Sequence, residues 1–215
     1  MTQSDIETAG NPGGAPSSDV AFSAAVKAVQ SRRGSRDSYA RMEASGGFRT
    51  VIDEGLIEAL GQANSLYLVT ASASGQPYAQ HRGGPPGFIR VLDGQTIGFA
   101  DYAGNRQYIS TGNLAENPQA FLFLMDYANR RRIKIWGRAR LVEGDAALIA
   151  RLMPEGYKAR PEAAVVFEVA AWDTNCPQHI PQKFDADDVA AAIARLQARI
   201  AELEAENAAL KGSTP

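Results

Sequence analysis

The sequence of 215 residues predicts a mainly β, α+β protein whose centre is an antiparallel, closed or nearly closed barrel. Short apolar stretches separated by turn residues recur from residue 66 to residue 172, as in barrels built from short strands. Two of these stretches flank Asp93-Gly94, a strong signal for a β-hairpin. One helix interrupts the strands, and a long heptad helix follows them.

The chain begins with a segment that is predicted to be disordered and a helical extension. Residues 1–18 are rich in Gly, Pro and Ser, a composition that does not support a packed core. Residues 19–52 form the extension, in which we expect Asp19 to cap a helix and Gly34 to end it. Asp53 is the expected first residue of another helix at the start of the barrel region.

The barrel region is predicted to span residues 53–184 and to contain about seven strands. Its turns include "SGQP" at 74–77 and the short connection at Tyr127-Ala128-Asn129. A helix is expected at about 106–116, and "DAALIARLM" predicts a short helix before the last strand. The predicted strands cover residues 66–72, 78–82, 88–92, 96–100, 119–126, 130–144 and 163–172.

The last segment, residues 185–215, carries an apolar heptad pattern. Ile occupies two a positions, Leu occupies most d positions, and Asn207 falls at an a position, a combination that favours a parallel two-stranded coiled coil. An amphipathic helix that packs on its own barrel would show a similar stripe, so both interpretations stay open at this point. The pattern consists of Val189, Ile193, Leu196, Ile200, Leu203, Asn207 and Leu210.

Composition and charge exclude several classes of protein. A net charge of −2 and a pI of about 5.8 argue against a nucleic-acid or anionic-membrane binder. No apolar run reaches the length of a membrane span, and the first residues lack the features of a secretory signal, so we expect a cytoplasmic protein. A single cysteine, Cys176, and two histidines, His81 and His179, leave little for a metal site, and none is predicted.

Polar and basic residues gather at three places in the barrel region. Asn105, Arg106 and Gln107 stand where a loop leads into a helix, and the free N–H groups of a helix N-terminus suit phosphate. Arg82 ends an earlier strand, immediately before two glycines that let a flat ligand approach the backbone. Arg130-Arg131-Arg132 begins a strand, where alternation sends Arg131 to the opposite face from its neighbours. Solvated surface arginines are the alternative interpretation of these places.

These pieces occur in an order that resembles the pyridoxamine 5′-phosphate oxidase-like family of FMN-binding split β-barrels. The resemblance covers about Gly55 to Phe184 and rests on four segments. The helix of the second segment ends in the Leu-x-x-Asn-Pro pattern of the family, at residues 114–118. The segments are "LYLVTASASGQPYAQHRGG", "TIGFADYAGNRQYISTGNLAENP", "AFLFLMD" and "RRRIKIWGRARLVEG".

The resemblance implies an antiparallel split β-barrel and a homodimer with FMN at the subunit interface. It assigns the FMN phosphate to Asn105, Arg106 and Gln107, and it places Arg131 or Arg132 near the ring or phosphate. The segment "NCPQHIPQKF" would reach a flavin through Gln178 and His179. The other implied flavin contacts are Gln80, His81, Arg82, Gly83, Phe99, Ala100 and Asp101.

The activity implied by the resemblance is FMN-dependent oxidoreduction, with hydride passing from NAD(P)H to FMN and on to oxygen or another acceptor. The chain lacks the Arg-Leu-x-Pro-type motif of pyridoxamine phosphate oxidases, so oxidation of vitamin B6 is not expected. No Gly-x-Gly-x-x-Gly follows a strand, so a nicotinamide would dock directly over the flavin. His179 is the candidate catalytic residue, as a proton donor or a substrate contact. A flavin-binding redox sensor or carrier, and a barrel that binds haem or deazaflavin, are the alternatives.

Overall fold

The computed structural model describes residues 15–175 and 177–212. The chain divides into two compact units, each of which is described by itself below. The first unit comprises Met1–Met125 and Arg132–Cys176, and the second comprises Asp126–Arg131 and Pro177–Pro215. The predicted disorder of residues 1–14 and the single cysteine lie outside the described residues.

The N-terminal part of the chain holds one α-helix and one 3₁₀ helix more than the sequence predicts. A 3₁₀ helix (Ser17–Val20) precedes two α-helices, α1 (Ala24–Arg33) and α2 (Arg36–Ala44), and α2 was not predicted. Asp19 is not the cap of α1, because the Oγ of Ser23 accepts the hydrogen bond from the N–H of Val26 at 3.3 Å. Asp19 forms an ion pair with Lys27 instead. Gly34 ends α1 in the left-handed conformation, as predicted.

Hydrogen bonds and aromatic contacts hold the N-terminal residues and the extension in place, in part against the barrel. Ser17 and Ser18 belong to the segment that was expected to be disordered, yet the Oγ of Ser17 donates to the carbonyl of Phe48 at 2.7 Å and Ser18 is buried. The ring of Phe48 stacks on Trp136 with 5.1 Å between centroids and an interplanar angle of 6°. These contacts hold the segment in one ordered conformation, which its composition alone could not predict.

Seven antiparallel strands form one sheet, as the sequence predicts. The sheet order is β2-β1-β5-β6-β7-β4-β3, so β2 and β3 lie at its two ends. The strands are β1 (Ser65–Ala71), β2 (Pro77–Gly83), β3 (Arg90–Val91), β4 (Thr96–Tyr102), β5 (Gln119–Asp126), β6 (Arg131–Val142) and β7 (Pro161–Asn175). The remaining helices of the first unit are α3 (Glu54–Gln62), α4 (Ile109–Glu116) and α5 (Ala146–Leu152).

The interior of the barrel is apolar. Alternate residues of β1 point inward, and Leu66 and Leu68 are almost completely buried there. Helix α3, which Asp53 caps as predicted, contributes Leu56 and Leu60 to the same core. Aromatic and aliphatic side chains from the other strands complete it, namely Phe88, Ile97, Phe99, Leu122, Ile135, Val165, Phe167 and Trp172. Each large apolar side chain buried in this way contributes about 1.5–3 kcal/mol to stability.

Side chains connect the two ends of the sheet. Arg82 lies on β2, the first strand in the sheet order, whereas Asp101 lies on β4, which is next to the last strand. The two strands do not pair through their backbones, yet the Arg82 guanidinium and the Asp101 carboxylate form an ion pair. The sheet therefore curls into a barrel that is split between β2 and β4, and an ion pair bridges the split.

A bulge in β7 requires a glycine on the neighbouring strand β6. The register between β6 and β7 shifts between Trp136 and Gly137. A Cβ atom at Gly137 would lie 2.0 Å from the carbonyl oxygen of Glu168 and 2.6 Å from the Phe167 ring. This close approach of backbone to backbone explains why glycine lies opposite the bulge.

The second unit contains the β5–β6 connection and the C-terminal helix. The predicted turn is present, and Arg130 adopts a positive φ of 51° in it rather than starting the strand. The Nε2 of Gln182 donates to the carbonyl of Ala128 at 2.8 Å, and Lys183 lies 4.4 Å from the Tyr127 ring centroid. Helix α6 (Ala186–Gly212) covers the heptad pattern as a single helix. No helix of the described chain is long and apolar enough to cross a membrane.

Candidate flavin site in the split of the barrel

A groove of about 240 Å³ lies beside the split and alongside the start of α4. Strands β2 and β4 form two of its walls, and the loop from residue 103 to residue 108 forms another. Its surface is rich in polar side chains, some of them positively charged and some negatively charged. The lining residues are Gln80, Arg82, Asp101, Tyr102, Gly104, Asn105, Arg106, Tyr108, Ser110, Thr111 and Glu162.

The ion pair at the base of the groove is largely shielded from solvent. The side chains of Arg82 and Asp101 are 15% and 14% exposed. Burial raises the pKa of the Asp101 carboxyl, and this effect outweighs the lowering by the Arg82 guanidinium, while Glu162 adds a further increase. The Nε of Arg82 is buried and has no hydrogen-bond partner within the described chain. An acceptor on a ligand in the groove would satisfy this donor.

Two consecutive residues of β4 line the groove opposite a bulge in β7. Neighbouring residues of a regular strand point to opposite faces, but the register with β7 shifts between Asp101 and Tyr102, and both side chains line the groove. The hydroxyl of Tyr102 is buried and is a second polar atom without a partner in the described part of the chain. Burial raises the pKa of this hydroxyl, so it stays protonated and can donate to a ligand.

The loop before α4 holds two residues in the left-handed backbone region. Arg106 has a φ of 59° and Tyr108 a φ of 54°, a conformation that costs most L-residues free energy. The Arg106 Nε donates to the Tyr108 hydroxyl at 3.1 Å, and this bond raises the pKa of the guanidinium. The Gln107 N–H donates to the Asn105 side chain at 3.3 Å. The loop therefore presents polar side chains from a defined backbone.

Helix α4 begins at Ile109, three residues later than the sequence predicts. Tyr108 is its N-cap residue and supplies no side-chain hydrogen bond, so the first N–H groups of the helix lack a side-chain cap. Two hydrogen bonds fix the helix on the sheet. The Ser110 Oγ donates to the Gln80 side chain at 2.8 Å, and the Asn113 Nδ2 donates to the Thr70 Oγ1 at 3.0 Å. Polar groups of the groove thus have fixed positions relative to the barrel.

The groove includes some of the predicted site residues and not others. Gln80, Arg82, Asp101, Asn105 and Arg106 line it together. Alternation along β2 sends His81 to the opposite face, where its ring lies 5.7 Å from the ring of Tyr67. Five other predicted residues of the first unit do not line the groove, namely Gly83, Phe99, Ala100, Gln107 and Arg132.

Burial limits what two of those residues can offer. Phe99 and Ala100 are 1% and 2% exposed, so only their backbone groups could reach a ligand. The glycine after Gly83 has a packing reason for lacking a side chain, because a Cβ on Gly84 would lie 2.7 Å from the Cβ of Phe88. The paired glycines therefore do not by themselves indicate a ligand.

Sequence reasoning missed six residues of the groove, of which Gly104 directly precedes the predicted Asn105. Tyr102 and Tyr108 flank predicted residues. The bulge and the backbone strain that mark their positions are not visible in a sequence. Ser110 and Thr111 face the groove because α4 starts at Ile109 rather than at Arg106. Glu162 is the extra residue of the bulge in β7, between Ala163 opposite Asp101 and Pro161 opposite Tyr102, a position that only the strand register reveals.

Three predicted residues belong to the second unit. Arg131 forms an ion pair with Asp126 at 3.3 Å, and its buried Nε has no hydrogen-bond partner among the residues described. Gln178 and His179 are exposed, and His179 has a positive φ of 61°. Within the described residues, no group of three His, Cys, Asp or Glu side chains is arranged to hold a metal ion.

Comparison with protein families identifies the fold and the lineage of this barrel. The family model described as pyridoxamine 5′-phosphate oxidase matches residues 52–176, which is more than half of the chain. The chain belongs to this family. The match confirms the resemblance and the split-barrel fold. Members of this FMN-binding family are typically dimeric and bind small molecules.

Solved structures with a similar fold include other members of the family at low sequence identity. HupZ from Group A Streptococcus is 16% identical, with a TM-score of 0.47, over 61% of this chain and 99% of that chain. An FMN-binding protein from Syntrophomonas wolfei is 12% identical, with a TM-score of 0.45, over 68% and 97%. General Stress Protein 26 from Bacillus anthracis is 13% identical, with a TM-score of 0.42, over 55% and 89%. Structural similarity at this level supports no conclusion about the ligand or the reaction of this chain. No curated protein matches the chain significantly.

Proposed function

We propose that the chain binds FMN in the groove and works as an FMN-dependent oxidoreductase that takes hydride from NAD(P)H and delivers it to oxygen or another acceptor. The observation that carries the proposal is the buried, unpartnered Arg82 Nε beside a loop that presents Asn105 and Arg106. Membership in an FMN-binding family supports it.

The loop and the start of α4 are suited to a phosphate. Arg106 stays charged at all ordinary pH values, and its exposed guanidinium can form charge-assisted hydrogen bonds. The Asn105 side chain and the uncapped N–H groups of α4 add neutral donors beside it. We assign the FMN phosphate to this end of the groove, with Gln107 supporting the Asn105 side chain.

The base of the groove is suited to the flavin ring. Arg82 and the Tyr102 hydroxyl can donate to ring carbonyl or nitrogen acceptors, because each has an unpartnered polar atom there. Asp101 holds the Arg82 guanidinium in place through the ion pair. FMN, when bound, supplies the hydride chemistry itself. The task of these residues is to bind, orient and supply donors near the ring.

The size of the groove supports a site that a second subunit completes. Pockets that enclose a drug-sized ligand typically measure about 300–1,000 Å³, and this groove of about 240 Å³ is smaller. It has room for part of FMN, and the rest of the cofactor needs another surface. We therefore propose a homodimer with FMN at the interface. A monomer that holds stoichiometric FMN in analytical ultracentrifugation would contradict this arrangement.

The absorption spectrum of the purified protein tests the proposed cofactor and activity. We expect flavin bands, release of FMN on denaturation, and bleaching of the bands when NADH or NADPH is added without oxygen. Flavin bands that neither nucleotide bleaches would favour a redox sensor or carrier, and a Soret band would favour haem. Either result would refute the proposed activity, and the second would also refute the proposed cofactor.

The role of His179 needs a separate measurement. The histidine is proposed as a proton donor or substrate contact, and flavin hydride transfer does not itself require an acid. A His179→Asn variant is expected to retain its FMN absorbance and to lose turnover with the acceptor. Unchanged turnover across pH would remove His179 from the proposed site.

A further inference from the structure

Helix α6 presents an apolar seam to its surroundings over three heptads. In this register Ile193, Ile200 and Asn207 occupy a positions, and the d positions are held by valine or leucine. The apolar seam residues from Val189 to Leu203 are 40–66% exposed in the single chain. Large apolar side chains at regular heptad spacing indicate a surface that a second helix covers.

The polar residue in the seam distinguishes between the possible partners of α6. In a parallel, in-register pair, Asn207 faces Asn207 of the second helix, and the two amides can hydrogen-bond to each other. In an antiparallel pair, an a residue faces d residues, so Asn207 would be buried against an aliphatic side chain such as Leu196. The buried amide would then lack a partner, which is costly.

The charges that flank the seam agree with the parallel arrangement. Arg199 and Glu206 occupy g positions, and Glu204 and Lys211 occupy the e positions that follow them by five residues. In a parallel coil each g residue lies beside the following e residue of the other helix. Arg199 then lies beside Glu204 of the other helix, and Glu206 lies beside Lys211. Each pair occurs twice in the dimer, so four pairs of opposite charge flank the seam. An antiparallel coil does not form these pairs.

We propose that α6 forms a parallel, in-register, two-stranded coiled coil with α6 of a second copy of this chain. The proposal goes beyond the proposed function, because none of its contacts requires a flavin. In the single chain Arg199 pairs with Glu202 at 2.8 Å, and both side chains are more than half exposed. An exposed pair of this kind is weak, so Arg199 can exchange it for Glu204 of the second copy.

Cross-linking in the full-length protein tests the partner and the orientation. In a Cys176→Ser background, Ile193→Cys places one thiol in the seam, and Ala191→Cys places one on the outer face as a matched control. With a short bis-maleimide reagent at micromolar protein, we expect Ile193→Cys to form a covalent dimer at least about tenfold faster than Ala191→Cys. Equal rates, or no dimer with Ile193→Cys, would overturn the proposal. An antiparallel coil falls under the second outcome, because with Asn207 opposite Leu196 the two copies of residue 193 lie about 25 Å apart along the helices.

Charge exchange provides a second test that does not depend on thiol geometry. In the Ile193→Cys protein, Arg199→Glu sets like charges against Glu204 of the second copy and should slow cross-linking about three- to tenfold. Adding Glu204→Arg restores opposite charges and should restore the rate. Circular dichroism checks that the helix content of each variant is unchanged. Failure of the double variant to recover, with helix content intact, would refute the assigned register.

Discussion

Replacement of Arg106 by alanine is the sharpest test of the proposed phosphate site. The substitution removes the guanidinium that the loop presents, while Tyr108 and the start of α4 stay in place. A hydrogen bond to a charged group is worth about 1.5–3 kcal/mol in general, which corresponds to roughly 10- to 150-fold in affinity. The Arg106 side chain is exposed, so solvent screens it. We therefore expect FMN affinity to fall about 10- to 50-fold, near the lower end of this range.

Fluorescence titration of the apoprotein measures the effect, because flavin fluorescence changes on binding. Riboflavin, which lacks the phosphate, is the ligand control, and its affinity should change less than about threefold in the Arg106→Ala variant. Arg32→Ala, which removes an exposed arginine from α1, is the protein control and should leave both affinities unchanged. If Arg106→Ala weakens riboflavin and FMN equally, the contact is not to the phosphate. Equal FMN affinity in the wild type and the variant would refute the site.

Three further predictions concern stability and boundaries. Gly137→Ala should lower the free energy of unfolding by about 3 kcal/mol or more in urea denaturation, because its Cβ would meet a backbone oxygen at 2.0 Å. The matched control is Gly61→Ala, at a helical position with open space, which should raise the free energy of unfolding by about 0.5–1 kcal/mol. The raised pKa of Asp101 means that the folded state keeps this proton longer than the unfolded state, so its contribution to stability falls as pH rises from about 3.9 to the folded-state pKa. Asp101→Asn should remove that slope from urea titrations across pH, whereas Asp93→Asn should remove a slope of the opposite sign, since a backbone N–H lowers the pKa of Asp93. Truncation after Phe184 should leave FMN binding intact by absorbance, and a folded dimer without flavin would show that α6 takes part in the site.

Patterns with a local physical cause could be predicted from the sequence. The Asp93-Gly94 turn, the capping of α3 by Asp53 and the number of strands follow from residues that are close together in the chain. Helix α2 was missed because its sequence, "RDSYARMEA", has too few apolar residues to show a helical stripe. Tertiary contacts stabilise it, including the ion pair of Glu43 with Lys27 of α1 at 3.4 Å. Such contacts cannot be read from local periodicity.

The candidate site was predicted in part for the same reason. Arg82 and Arg106 were found because basic residues near a strand end and a helix start are unusual in the printed sequence. The face of each residue was harder to assign, and four consecutive positions on β2 were expected to contact one ligand, although alternation divides them between two faces. Tyr102 and Glu162 depend on a bulge and a strand register, which only the folded sheet determines.

The split in the barrel connects cofactor binding with the persistence of the fold. Arg82 and Asp101 bridge β2 and β4 by one ion pair where a closed barrel would have a ladder of backbone hydrogen bonds. If a ligand binds in the groove as proposed, it would contact both strands and hold them together across that opening. Free ligand at about 100 times its Kd would add roughly 2.7 kcal/mol to the free energy of unfolding. If that ligand is flavin, a cell short of flavin would hold a protein whose residues at the split exchange amide hydrogens faster and are cut sooner by proteases.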